Sequence, residues 1–259
     1  MYSLVLGFVL SALRDRVWLS LWLLMVLVAL LAFLFGAMAM VEQHETIIIF
    51  ASSSLRLTGC LVVILYMSFV IQRQRDHKEI EAYLVRPLAR WQLLFSYWLC
   101  SLVLIGLVVS SSIVVMVIWG VAWRPLLIWS SSFALELSMV ASFTVACSLV
   151  LRHNVAAILS TLAFYMLARM SGYFLLMLEQ FVLAGKVKSV FGISANSVLS
   201  YIIYIVPRLD LFTRSEWLLS VADHPLPLSL LGLQTITSTF FIGCMVWCDM
   251  VRRPYLGRN

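Results

Sequence analysis

Charge is what this sequence has least of. Only 12% of its 259 residues are Asp, Glu, Lys or Arg, where a water-soluble domain carries about a quarter. A surface cannot be solvated with so few ions, so an ordinary soluble globule is excluded, and 63% apolar residues exclude disorder. Proline is scarce too, at six residues, which leaves room for long unbroken helices. No G-x-x-x-x-G-K-[ST] segment occurs, so the chain has no phosphate-cradling loop of its own. Five cysteines, Cys60, Cys100, Cys147, Cys244 and Cys248, lie in or at the ends of apolar runs, where thiols pack as small hydrophobes. Cys244 and Cys248 are four apart, but no His or carboxylate joins them at zinc spacing.

What is present is hydrophobic length. Mean hydropathy is +1.02, and a helix needs about 20 apolar residues to cross a hydrocarbon core of about 30 Å. Spans are expected at about 17–41, 55–71, 91–121, 126–151, 155–178 and 228–251. The fold class is therefore an all-α integral membrane protein of six transmembrane helices, forming a single transmembrane domain over 1–259. Residues 1–16 suit an interfacial helix or an N-terminal extension of the first span. Glu42 to Ser54 reads as a loop, and 73–90 as a short amphipathic cytoplasmic helix or a solvated loop. An outer segment at 179–227 holds a more polar apolar stretch, 190–206, that fits the interface.

Lys and Arg set the orientation. With a cytoplasmic N-terminus, the inner side holds Arg14, Arg16, Arg73, Arg75, Lys78, Arg86, Arg90, Arg152, Arg252, Arg253 and Arg258. The outer side holds Arg56, Arg124, Lys186, Lys188, Arg208 and Arg214. Both termini are thus placed in the cytoplasm, and the +6 net charge reflects this bias rather than nucleic-acid binding.

Two ions fall inside spans. Glu136 and Arg169 sit at matching depth, about 21–23 Å from the inner boundary on adjacent antiparallel spans. Such groups pair with one another or face a substrate path; an ion pair fixing the fourth and fifth spans is the favoured reading. Catalytic patterns fail. His44-Glu45 has no second histidine at zincin spacing. Gly192-Ile193-Ser194-Ala195 resembles the serine segment of a rhomboid-type intramembrane protease, but the last span holds no histidine to act as base. The chain itself is not expected to be an enzyme or to bind a metal.

The block Arg75-Asp76-His77-Lys78-Glu79-Ile80-Glu81-Ala82-Tyr83-Leu84-Val85-Arg86-Pro87-Leu88-Ala89-Arg90 resembles the exit of the second span in ABC-2 type permeases, the membrane subunits of type V ABC transporters. Pro207-Arg208-Leu209-Asp210-Leu211-Phe212 is similar to that family's Pro-x-Leu-Asp-x-Phe element before the last span. Length and layout are similar to the small permeases of nitrous-oxide-reductase maturation clusters. One departure is that Glu79-Ile80-Glu81-Ala82 stands where the family often has Glu-Gly-Thr.

The resemblance implies a subunit of an exporter in a bacterial inner (plasma) membrane. A cytoplasmic coupling helix would dock on a separate ABC ATP-binding subunit through Asp76, Lys78, Glu79, Ile80, Glu81, Tyr83, Leu84 and Arg86. ATP and Mg would be bound by that partner and no cofactor by this chain. A second permease protomer, identical or different, would complete a dimer in the lipid bilayer, with the path lined by spans two and five. Pro207, Leu209, Asp210 and Phe212 would form the outer motif. Two other classes stay open: a membrane scaffold recruiting a cytoplasmic complex, and a proton-coupled secondary transporter using Glu136.

Overall fold

A computed structural model describes residues 17–37, 43–76, 90–151, 153–183, 209, 212 and 228–252. Among them are six helices and no strand: α1 (Val17–Ala37), α2 (Gln43–Asp76), α3 (Arg90–Ile118), α4 (Trp123–Val150), α5 (Asn154–Leu183) and α6 (Leu228–Arg252). Five of them, α2 to α6, are long and apolar enough to cross a membrane. α1 is 21 residues long and carries no charge. The chain is therefore a helical protein of membrane type.

The helices persist because their polar residues satisfy themselves. Ser52 Oγ donates to the Ile49 carbonyl, Ser132 Oγ to Trp129, Ser142 Oγ to Met139 and Thr144 Oγ1 to Val140, at 2.7–2.9 Å. Each hydroxyl finds an acceptor three or four residues back, so it can lie in an apolar setting without an orphaned proton. This back-bonding also explains one difference from the sequence reading. Glu42 to Ser54 was expected as a loop and the second span at 55–71, but α2 runs unbroken from Gln43 to Asp76. The Ser52-Ser53-Ser54 triplet looks like loop composition, yet Ser52 and Ser53 bond the turn behind them.

Turns between helices are tight. After α3, Gly120 adopts φ +74°, a conformation that costs glycine no Cβ clash, and its N–H donates to the Val117 carbonyl at 3.0 Å. Pro125 is the third residue of α4, in the first turn, where a missing N–H disturbs no intrahelical bond.

At the centre stands α4, packed against α2, α3, α5 and α6, while α1 lies chiefly on α2. Of the most apolar stretch of α4, 72% is buried, against 17% in α6. Trp129, Phe133, Leu137 and Val140 of α4 meet a core completed by Leu55, Val63, Ile64 and Met67 of α2 and Leu104, Val108 and Met116 of α3. Gly59 lets α2, α3 and α4 approach closely: a Cβ there would lie 2.6 Å from Phe133 Cζ and 3.0 Å from Val108 Cγ1.

Candidate functional site

The polar centre of the molecule is built on three helices. α2 carries Arg56 and Cys60, α4 carries Ser132 and Glu136, and α5 carries Tyr165 and Arg169. Arg56 is about 30 Å of helix from the C-terminal end of α2, Glu136 about 21 Å from the C-terminal end of α4 and Arg169 about 22 Å from the N-terminal end of α5, at 1.5 Å per residue. All three therefore lie well inside their helices, away from the ends.

Glu136 is fully buried and Arg56 is 1% exposed. Arg56 Nη1 lies 2.9 Å from Glu136 Oε2 and donates to it. The same nitrogen donates to the Phe212 carbonyl at 2.7 Å. Nη2 donates to Ser132 Oγ at 2.6 Å and to the Trp129 carbonyl at 3.3 Å. The guanidinium carbon sits 5.1 Å from the centre of the Trp129 ring and 5.6 Å from that of Phe133, within cation–π range. A charge so deep in an apolar medium is tolerable only when paired and fully hydrogen-bonded, and Arg56 meets that condition.

Around the other carboxylate oxygen the geometry is looser. Glu136 Oε1 is 3.4 Å from the Tyr165 hydroxyl, 3.7 Å from Arg169 Nη1 and 4.0 Å from Cys60 Sγ. Arg169 Nη1 donates to the Tyr165 oxygen. The Arg169 side chain is 23% exposed, so among the described residues the cluster opens outward on the α5 side.

The cluster thus brings Glu136 and Arg169 together, but the closest partner of Glu136 is Arg56, assigned above to the outer boundary of the membrane. Arg56 lies thirteen residues inside α2, and its side chain is buried against the neighbouring helices. The signal was available, because between Glu45 and Arg73 Arg56 is the one charged residue. An arginine alone in such a run, when not at its end, needs a buried anion.

Leu209 and Phe212 of the outer motif are both fully buried, with the Phe212 N–H donating to the Leu209 carbonyl at 3.1 Å. The Phe212 carbonyl capping Arg56 ties this segment to the cluster. Pro207 and Asp210 lie outside the described residues. So do Lys78, Glu79, Ile80, Glu81, Tyr83, Leu84 and Arg86, with the 1–16 and 190–206 segments. Asp76 ends α2, exposed, and accepts from Gln72 Nε2 at 3.0 Å.

Just before that end, α2 is fastened to its neighbours. Arg75 Nη1 donates to the Leu151 carbonyl at 2.6 Å, and its Nη2 to the Ser148 carbonyl. The Tyr97 hydroxyl of α3 donates to Gln74 Oε1 at 2.7 Å. A cation on the last carbonyls of α4 also complements the negative end of that helix dipole.

On the opposite side of α4, an apolar groove of about 610 Å³ opens between α3, α4 and α6. Phe95 and Trp98, Ser138 and Ser142, and Phe240 and Gly243 are among its lining residues. All five cysteines are free, and among the described residues no group of His, Cys, Asp and Glu could hold a metal. Neither a known protein-family model nor a curated protein matches the chain.

Proposed function

We propose that this chain is the membrane-spanning subunit of an ATP-driven exporter, crossing the bilayer six times with both termini cytoplasmic and paired with a second permease protomer. Within the 73–90 segment, Asp76 to Arg86 would dock on a separate ATP-binding subunit that carries ATP and Mg. The single observation that supports this reading is the continuity of α2. One helix of 34 residues, about 50 Å long, leads directly into the proposed docking segment. About 30 Å away it holds Arg56, which grips Glu136 of α4 and the Phe212 carbonyl of the outer segment.

A push at the inner end of such a helix is not absorbed locally, because Arg75 and Gln74 lock that end to α4 and α3. It is passed to the charge cluster and to the outer motif. Rigid elements joined by hydrogen-bonded ions are the physical form that coupling between distant sites takes. Glu136 is fully buried and held by Arg56, an arrangement that favours a structural and coupling role over the carrying of protons. The scaffold alternative makes no use of the link from the docking segment to the outer segment.

The test is a mild-detergent pull-down of the tagged chain from its native membrane, with ATP hydrolysis assayed on whatever co-purifies. A stoichiometric ATP-hydrolysing partner is expected. Glu79→Lys combined with Glu81→Lys should release that partner while leaving membrane insertion intact. Retention of the ATPase by the double variant would sink the docking assignment; a chain that comes down alone would sink the transporter reading.

A further inference from the structure

We infer that Arg169 is a receiving group for an oxyanion, phosphate or carboxylate, carried on an amphipathic molecule. The argument begins with charge. Two arginines share one carboxylate in this cluster, which leaves one positive charge unmatched among the described residues. Distances say which arginine carries it. Glu136 Oε2 is 2.9 Å from Arg56 Nη1, whereas Oε1 is 3.7 Å from Arg169 Nη1, beyond a hydrogen bond. Arg56 also has the Ser132, Trp129 and Phe212 oxygens. Arg169 has the Tyr165 hydroxyl, a neutral acceptor, and a guanidinium carries five N–H donors.

Exposure points the same way. Arg56 and Glu136 are sealed, while Arg169 is the member of the cluster that reaches the outer surface of the helix assembly. A planar fork with free donors is suited to two-point recognition of carboxylate or phosphate. The apolar surroundings select the rest of the ligand. Met166, Met170 and Tyr173 are exposed on the same stretch of α5. Arg169 stands 21–22 Å of helix from either end of α5, by about 1.5 Å per residue. A bare hydrated anion would lose its water over that distance, whereas an amphipath lays its apolar body along the methionines and presents only its head to the guanidinium.

As a substrate assignment this rests on the transporter reading, but binding can be measured without any ATPase. The full chain is placed in phosphatidylcholine nanodiscs and offered a photoreactive phosphatidic acid or a photoreactive phosphatidylcholine with the same acyl chains. Preferential labelling of α5 by the acid is expected. Arg169→Gln should lower it about tenfold, the scale of one charge-assisted contact. Arg169→Lys, which keeps the charge but not the fork, should fall between, and it carries the test if the Gln variant does not fold. Arg124→Gln, at an exposed position, should change nothing.

Equal labelling by the two lipids, or labelling unchanged in both Arg169 variants, would overturn the site. Loss of labelling on adding millimolar inorganic phosphate would overturn the amphipathic ligand. Labelling that depends on Arg169 in a chain that recruits no ATPase would uphold the site while defeating the transporter reading. An ATPase-coupled chain without preference for the acid would do the reverse.

Discussion

The two faces of α4 solve the same problem differently. One face carries Ser132, Glu136 and the Trp129 carbonyl, and is closed by Arg56 through hydrogen bonds of 2.6–3.3 Å. The other carries Ser138 and Ser142, and borders about 610 Å³ of apolar space below α6. In a bilayer, apolar surface gains little by meeting apolar surface, since lipid tails serve as well. A buried ion has no such alternative, and only one arrangement of partners satisfies it. The difference teaches how the relative placement of helices is specified: by ions that must meet among α2, α4 and α5, and by apolar packing alone where α6 lies on α4.

The largest effect should come from breaking the closed face. Arg56→Met leaves Glu136 buried with Arg169 at 3.7 Å as its nearest cation, and loss of one partner of a buried pair costs about 3–5 kcal/mol. The unfolding midpoint in mixed micelles should fall accordingly; an unchanged midpoint would show that the cluster does not organise the fold.

Glycine substitutions sharpen the contrast at smaller scale. Gly59→Ala drives a Cβ toward Phe133 Cζ, at 2.6 Å, in a ring held beneath Arg56. Overpacking of about 1–3 kcal/mol, partly offset by roughly 1 kcal/mol of helix propensity, predicts a net loss of about 1 kcal/mol. Gly243→Ala faces open space, with nothing within 4 Å of the added Cβ. With no clash to offset it, helix propensity alone should raise stability by up to about 1 kcal/mol in the same assay. Equal responses from the two glycines would erase the distinction between the faces.

Much of the helical plan is legible in the sequence, because apolar length is a direct physical requirement of the bilayer. The boundaries of α3 to α6 follow from charge, Gly120 and Pro125 within a few residues. Equal depth on neighbouring antiparallel helices is simple arithmetic, and it puts Glu136 within reach of Arg169. The true partner, Arg56, is obscured by local composition. His44, Glu45 and three serines make the first turns of α2 look like a connection, which places Arg56 at a membrane boundary instead of inside the helix. The serines' bonds to their own helix, which cancel their polarity, depend on rotamers that a one-letter string does not carry. The capping of Arg56 by the Phe212 carbonyl is a backbone contact across 156 residues, with no side-chain signature to betray it.

The pairing of Arg56 with Glu136 has a consequence for biogenesis. The two residues are 80 positions apart, so the arginine is synthesised first. At about 5–20 residues per second, roughly 4–16 s pass before the glutamate is made. Over that interval α2 must be held with a cation near its middle, at an insertion penalty of about 2.5–3.5 kcal/mol. The largely apolar run from Leu61 to Ile71 must help carry the helix into the bilayer until α4 arrives with the counter-ion.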